Sequence, residues 1–193
     1  NRAWDASKAK VWLAEIPFVR MKDAIIDKHQ LKSDDSFSQV VTKIKNSFSP
    51  AKLTINLDSG KAIFNGIEVV LPPREFAFLH WFADMRRNGE PSAVCPRIKN
   101  ADKNVSTADA AHLANITKQF AKYYSEQKAN TSGDLSVDKT LFNSTVSHLK
   151  TQLTAQLGLE SAAKFQIKYV GRRGNPFFLD VPAENITIID SIK

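Results

Sequence analysis

The run Asn65-Gly66-Ile67-Glu68-Val69-Val70-Leu71-Pro72-Pro73-Arg74-Glu75-Phe76-Ala77-Phe78-Leu79 decides how the rest of the chain is read. Asn-Gly tolerates positive φ at both central positions of a tight hairpin turn, so it predicts a strand on either side. Upstream lies Lys61–Phe64. Beyond a second turn, Asp58-Ser59-Gly60, comes Lys52–Leu57, whose Leu53, Ile55 and Leu57 alternate as one face of a sheet does. With Ile67–Leu71 these segments predict a three-stranded antiparallel meander. Pro72-Pro73 then changes the period. Proline is tolerated in the first turn of a helix, and Phe76, Phe78, Leu79, Phe82, Ala83 and Met85 give Arg74–Arg87 a broad apolar face. Asn88-Gly89 supplies the stop.

Downstream, Gly89–Val105 is irregular and broken by Pro91 and Pro96, a length uncommon in a compact domain unless the loop is functional or mobile. Ser106 or Thr107 caps a second helix, about Ala108–Gln127, striped by Leu113, Ile116, Phe120 and Tyr123/Tyr124. Lys128–Ser136 reads as a flexible connection. Asp138 caps a third helix, about Lys139–Leu157, with Phe142, Val146, Leu149, Leu153 and Leu157 inward and Gly158 as its end. Strands at Phe165–Val170 and Pro176–Val181 flank Gly171-Arg172-Arg173-Gly174-Asn175, and Ile186–Ile189 pairs or trails. Upstream of the meander, Val11–Val19 reads as a buried strand interrupted by Pro17, with helical segments at Met21–Lys28 and Phe37–Phe48. A lone strand must join another sheet. Residues 1–50 are therefore expected to be an appendage, or the remnant of a preceding sensor domain. Residues 51–193 are expected to be one domain with an enlarged middle segment, 89–138. The fold class is α+β: a winged helix-turn-helix with an N-terminal antiparallel β-meander and a C-terminal β-wing, plus an N-terminal strand and helix appendage.

The chain has 193 residues, 42% of them hydrophobic and 24% charged, which is ordinary for a soluble globular domain. No apolar run is long enough to span a bilayer, and no basic-then-apolar leader opens the sequence. The single cysteine, Cys95, rules out an internal disulfide and a cysteine-rich zinc site. The expectation is a cytoplasmic protein with no membrane partner, no cofactor and no metal. A net charge of +7 permits a polyanionic partner without requiring one. Its distribution is more informative: Lys164, Lys168, Arg172 and Arg173 fall within ten residues that contain no acid.

Three motifs, in fixed order, resemble the output domain of OmpR/PhoB-type response regulators. They are the Asn65-Gly66 hairpin running into Leu71-Pro72-Pro73-Arg74-Glu75-Phe76, the helix Val146-Ser147-His148-Leu149-Lys150-Thr151-Gln152-Leu153, and the glycine-bracketed Tyr169-Val170-Gly171-Arg172-Arg173-Gly174. The likeness covers about Lys52 to Val181. Where that family usually opens its first helix with Thr-Pro, this chain has Pro72-Pro73 and so lacks the capping hydroxyl. Where the family's third helix carries basic residues on its reading face, this chain has Thr151 and Gln152. A narrower resemblance joins Val11-Trp12-Leu13-Ala14-Glu15-Ile16-Pro17-Phe18-Val19-Arg20, Phe37-Ser38-Gln39-Val40 and Leu71–Leu79. These look like the C-terminal half of a CRISPR-associated family that couples a CARF sensor domain to a winged helix. Many of its members are described as ring nucleases. The resemblance implies an antiviral-defence role, an N-terminal sensor domain in the full-length protein, and any cyclic-oligoadenylate chemistry confined to that domain.

An α-helix fits the major groove of DNA, where outward polar side chains reach base edges. On the third helix Asn143, Ser147, Lys150 and Thr154 share a polar face, while Lys168, Arg172 and Arg173 belong to the wing. These are the nucleic-acid-binding candidates. The same pattern also fits a solvated surface helix with a solvated hairpin tip. The alternative is an interaction or homodimerisation module that supports the sensor domain. Its candidates are Trp4, Trp12, Tyr123 and Tyr124, since aromatic anchors are what interfaces prefer. Catalysis finds no constellation. His29, His80, His112 and His148 lack metal-ligand spacing, and His80 and His112 are expected to line or flank the core. Ser147 and His148 are adjacent on a helix and cannot pair as nucleophile and base.

Overall fold

A computed structural model describes residues 49–90, 92–127, 135–169, 171 and 176–190. The expected segments within residues 1–48, with Trp4 and Trp12, lie outside the described residues, as do Arg172 and Arg173.

The meander forms as expected. Strands β1 (Leu53–Asn56), β2 (Lys61–Phe64) and β3 (Ile67–Val69) pair antiparallel, with Leu53 opposite Phe64 and Phe64 opposite Ile67. The β2–β3 turn places Asn65 at φ 47° and Gly66 at φ 81°. Positive φ at both positions is the type I′ requirement. The Asn65 side-chain oxygen also accepts from the Lys52 amide at 2.7 Å, which fastens the turn to the start of β1. Asn65 carries the strain because its short side chain bonds locally, whereas a β-branched residue would not tolerate that conformation.

Helix α1 (Pro73–Asn88) follows, with Pro72 as its cap residue and no side chain capping it. It ends where Gly89 turns left-handed at φ 67°. Helix α2 (Thr107–Gln127) starts at Ser106, whose hydroxyl oxygen accepts from the Asp109 amide at 3.1 Å while the hydroxyl donates to the Asp109 carboxylate. Helix α3 (Lys139–Leu157) is capped by Asp138, which accepts from the Leu141 amide at 2.8 Å. Its buried stripe is Phe142, Thr145, Leu149, Leu153 and Leu157. Thr145 thus takes the place expected of Val146, which is only partly buried. The Thr145 hydroxyl tolerates this because it donates to the Leu141 carbonyl at 2.7 Å.

Gly158 ends α3 and directly begins a short helix absent from the sequence reading, α4 (Leu159–Ala163). The closing hairpin is shorter than its apolar run: β4 (Ile167–Tyr169) pairs antiparallel with β5 (Phe177–Leu179). The last segment pairs rather than trails. Strand β6 (Ile186–Ile189) lies parallel to β1, Leu53 opposite Ile186, giving a sheet of order β3-β2-β1-β6. The sheet is therefore mixed and not a purely antiparallel meander. The fold is α+β, with helices packed on a mixed sheet, and is compatible with a winged-helix-like arrangement.

Helix α1 is the centre of the core. Phe78 places its ring 5.2–5.4 Å from those of Trp81, Phe82, Phe120 and Phe142, mostly edge-on. Such offset and edge-to-face contacts suit ring quadrupoles, and here they tie α1 to both α2 and α3.

Candidate nucleic-acid interface

The beginning of α3 is held on three sides. Asp138 is buried, and its second carboxylate oxygen accepts from the Asn100 amide at 3.0 Å. The Lys139 amide donates to the Ile98 carbonyl at 2.9 Å, and the Val137 amide donates to the Thr117 hydroxyl on α2 at 3.0 Å. The long middle loop therefore does local work: its segment at Ile98–Asn100 supplies partners that a free helix end would lack.

The helix so anchored carries no Asp or Glu from Lys139 to Leu157. Thr140, Asn143, Ser147, His148, Lys150 and Thr151 are exposed along it. The expected reading residues do not behave alike. Ser147 and Lys150 stand in solvent. The Asn143 amide group is occupied, donating to the Lys139 carbonyl at 2.8 Å and approaching the Cys95 sulfur at 3.5 Å. Thr154 is half-buried. Asn143, Lys150 and Thr154 lie to one side of the solvent face, and its centre is shifted toward Ser147 and Thr151. That shift follows from Thr145 joining the buried stripe.

The β4–β5 hairpin sits at the N-terminal end of this helix. Phe177 packs edge-on against Phe142 of α3 at 5.1 Å, and its amide donates to the Ala93 carbonyl at 2.7 Å, forming a bridge to the segment between α1 and α2. Lys168 is exposed but ion-paired with Asp180 from across the hairpin. The acid-free window in the sequence could not reveal this partner, because strand pairing brings it in. Tyr169, which sequence reasoning passed over, is 44% exposed with its ring 5.1 Å from Phe177. The signal was available: an aromatic at the end of the wing's first strand.

The interaction candidates Tyr123 and Tyr124 are half-buried and pack on the core. The Tyr123 hydroxyl donates to Asp84 of α1 at 2.8 Å, its ring lies edge-on to His80 at 4.9 Å, and Tyr124 stacks on Phe120. Their place is the α1–α2 seam. His80 is buried, and His112 donates through Nε2 to the Val94 carbonyl at 3.0 Å. Both line or flank the core as expected. Burial pushes the Cys95 thiol above its ordinary range, and the Asn143 hydrogen bond and the Lys139 charge offset that only in part. An activated nucleophile would need the opposite shift.

Comparison with known proteins adds no family. No family model matches the chain, and neither the curated proteins nor the solved structures give a match. Among the described residues no group of three potential metal ligands converges, and no helix is long and apolar enough to cross a membrane.

One further cluster joins α1 to α3. Arg74 Nη2 lies 2.8 Å from Oε1 of Glu75 and 3.4 Å from Nδ1 of His148, and that imidazole nitrogen is 3.6 Å from the same carboxylate oxygen. The pieces are 74 residues apart in sequence, so no local pattern announces them.

Proposed function

We propose that this chain is a winged-helix module that binds duplex DNA through α3 and the wing, serving a CRISPR-associated defence protein whose sensor domain lies upstream. The observation that carries the reading is the 19-residue helix α3, free of acids, with hydroxyls, an imidazole and Lys150 turned to solvent. Its first turns stand beside a hairpin bonded to the segment between α1 and α2. The order helix, isolated bridge, helix, helix, short helix, hairpin supports a winged-helix reading, in which the third helix enters the major groove and the wing lies along the neighbouring backbone. A-form RNA has a major groove too narrow for a helix, which favours DNA. The defence context comes from the likeness at Leu71–Leu79 and in the segment before residue 49. Tyr123 and Tyr124 serve the α1–α2 seam, so they lend the interaction-module alternative little.

Anisotropy with a labelled duplex at two salt concentrations tests the reading. Affinity should fall steeply with salt, by about 0.9 logarithmic units per contacted phosphate for each decade. Arg172→Ala/Arg173→Ala should weaken it further, and duplex RNA should compete poorly. Failure to bind duplex DNA at low salt overturns the proposal.

A further inference from the structure

The α1–α3 cluster asks for an explanation beyond packing. Glu75 has a side chain 4% exposed, and a carboxylate taken from water costs several kcal/mol unless it is paired. Arg74 supplies the pairing. The Arg74 side chain nonetheless keeps 32% of its surface in solvent, within reach of a ligand. Of its five N–H donors, one is directed at Glu75 and one faces His148, while Nε is enclosed without an acceptor. Guanidinium has only donors, so in the tautomer that carries its proton on Nε2 the His148 Nδ1 accepts from Arg74. The His148 side chain is 61% exposed, and it neighbours Ser147 and Thr151 on the face assigned to DNA.

We infer that Arg74 and His148 form a clamp for a backbone phosphate of that DNA, with Glu75 as the positioning residue behind them. This rests on the duplex-binding reading above. With Nη2 committed and Nε enclosed, Nη1 is the guanidinium nitrogen left to donate to a phosphate oxygen, and an imidazole N–H beside it adds a second directed donor. Glu75 lies beneath, almost out of solvent, so an incoming phosphate meets donors before it meets the carboxylate.

The test is a salt series by anisotropy on the full chain with a short labelled duplex. Arg74→Gln alone would strand a buried carboxylate, so the decisive variant is Arg74→Gln/Glu75→Gln, which removes both charges at nearly constant shape. It should lower the slope of log affinity against log salt by about one and weaken low-salt binding on the order of tenfold, equally for all sequences. Glu75→Gln alone should also weaken binding although it makes the protein more positive; a bystander acid, once removed, would tighten it. His148→Gln, at an exposed position, should cost several-fold in affinity at an unchanged melting temperature. A wild-type chain that binds duplex while the double variant and His148→Gln keep its affinity and slope overturns the clamp and leaves the DNA reading standing. A wild-type chain that does not bind overturns both.

Discussion

Helices α1 and α3 are similar in length, but the molecule uses them in opposite ways. Helix α1 buries ten of its 16 residues, whereas α3 buries five of 19. Around α1 the neighbours are α2, α3, β5, β6 and the turn at Ala183–Asn185, and its exposed remainder is confined to the two ends. Helix α3 fully buries only one stripe and leaves much of the remainder exposed. A helix surrounded on most sides has its residue types set by packing, so its composition says little about partners. A one-sided helix is free to carry any polar residues, and the complete exclusion of acids from α3 then becomes informative. Function is better sought on the helix that the fold constrains less.

The contrast can be broken first at its strongest point. Phe78→Ala removes the ring that meets Trp81, Phe82, Phe120 and Phe142. Deleting a fully buried aromatic costs about 3–5 kcal/mol, from lost transfer energy plus the cavity left behind. Urea denaturation should show the midpoint falling by that amount. A loss below about 1 kcal/mol would mean that α1 is not the centre of the core.

The junction between the two helices' surroundings comes next. Asp138→Ala removes the cap of α3 and the acceptor for the Asn100 amide together, so about 1–2 kcal/mol is expected. Faster amide exchange should appear at Leu141 and Asn100 and not in α1. Tyr123→Phe deletes only the hydroxyl that donates to Asp84. Its expected cost is about 1 kcal/mol, read as a small drop in melting temperature with no change in oligomeric state. A change in oligomeric state would instead return Tyr123 to the interface role.

How much of this was legible follows the range of each interaction. The Asn65-Gly66 turn, the stop at Gly89 and the Asp138 cap are settled by neighbours one to four residues away, and each is where local chemistry puts it. The parallel pairing of β6 with β1 spans more than 130 residues and had no local mark. Thr145 inside the stripe was missed because a hydroxyl reads as polar, although a back-bond to Leu141 makes it cheap to bury. At the candidate interface, the exposure of Ser147 and Lys150 followed from helical period alone. The occupation of Asn143, the Lys168–Asp180 pair and the Arg74–Glu75–His148 cluster all depend on side chains brought from other elements.

The smallest effect on the fold is expected from the change that matters most for the α3 reading. Ser147→Ala/Lys150→Ala alters two exposed positions, and surface substitutions of this kind stay within about 0.5 kcal/mol. Alanine is also the best helix former, so α3 should persist. Unfolding midpoints of variant and parent should therefore coincide. Duplex affinity should not: losing the Lys150 cation removes one phosphate or guanine contact, and losing the Ser147 hydroxyl removes a base-edge or backbone hydrogen bond. If each is worth about 1 kcal/mol, binding weakens by about thirtyfold. Against a panel of duplexes, a uniform loss would make Lys150 a backbone contact. A loss confined to certain sequences would make α3 a reading helix. No loss at all, with the fold intact, would leave the bare polar face of α3 as nothing more than the solvent side of an amphipathic helix.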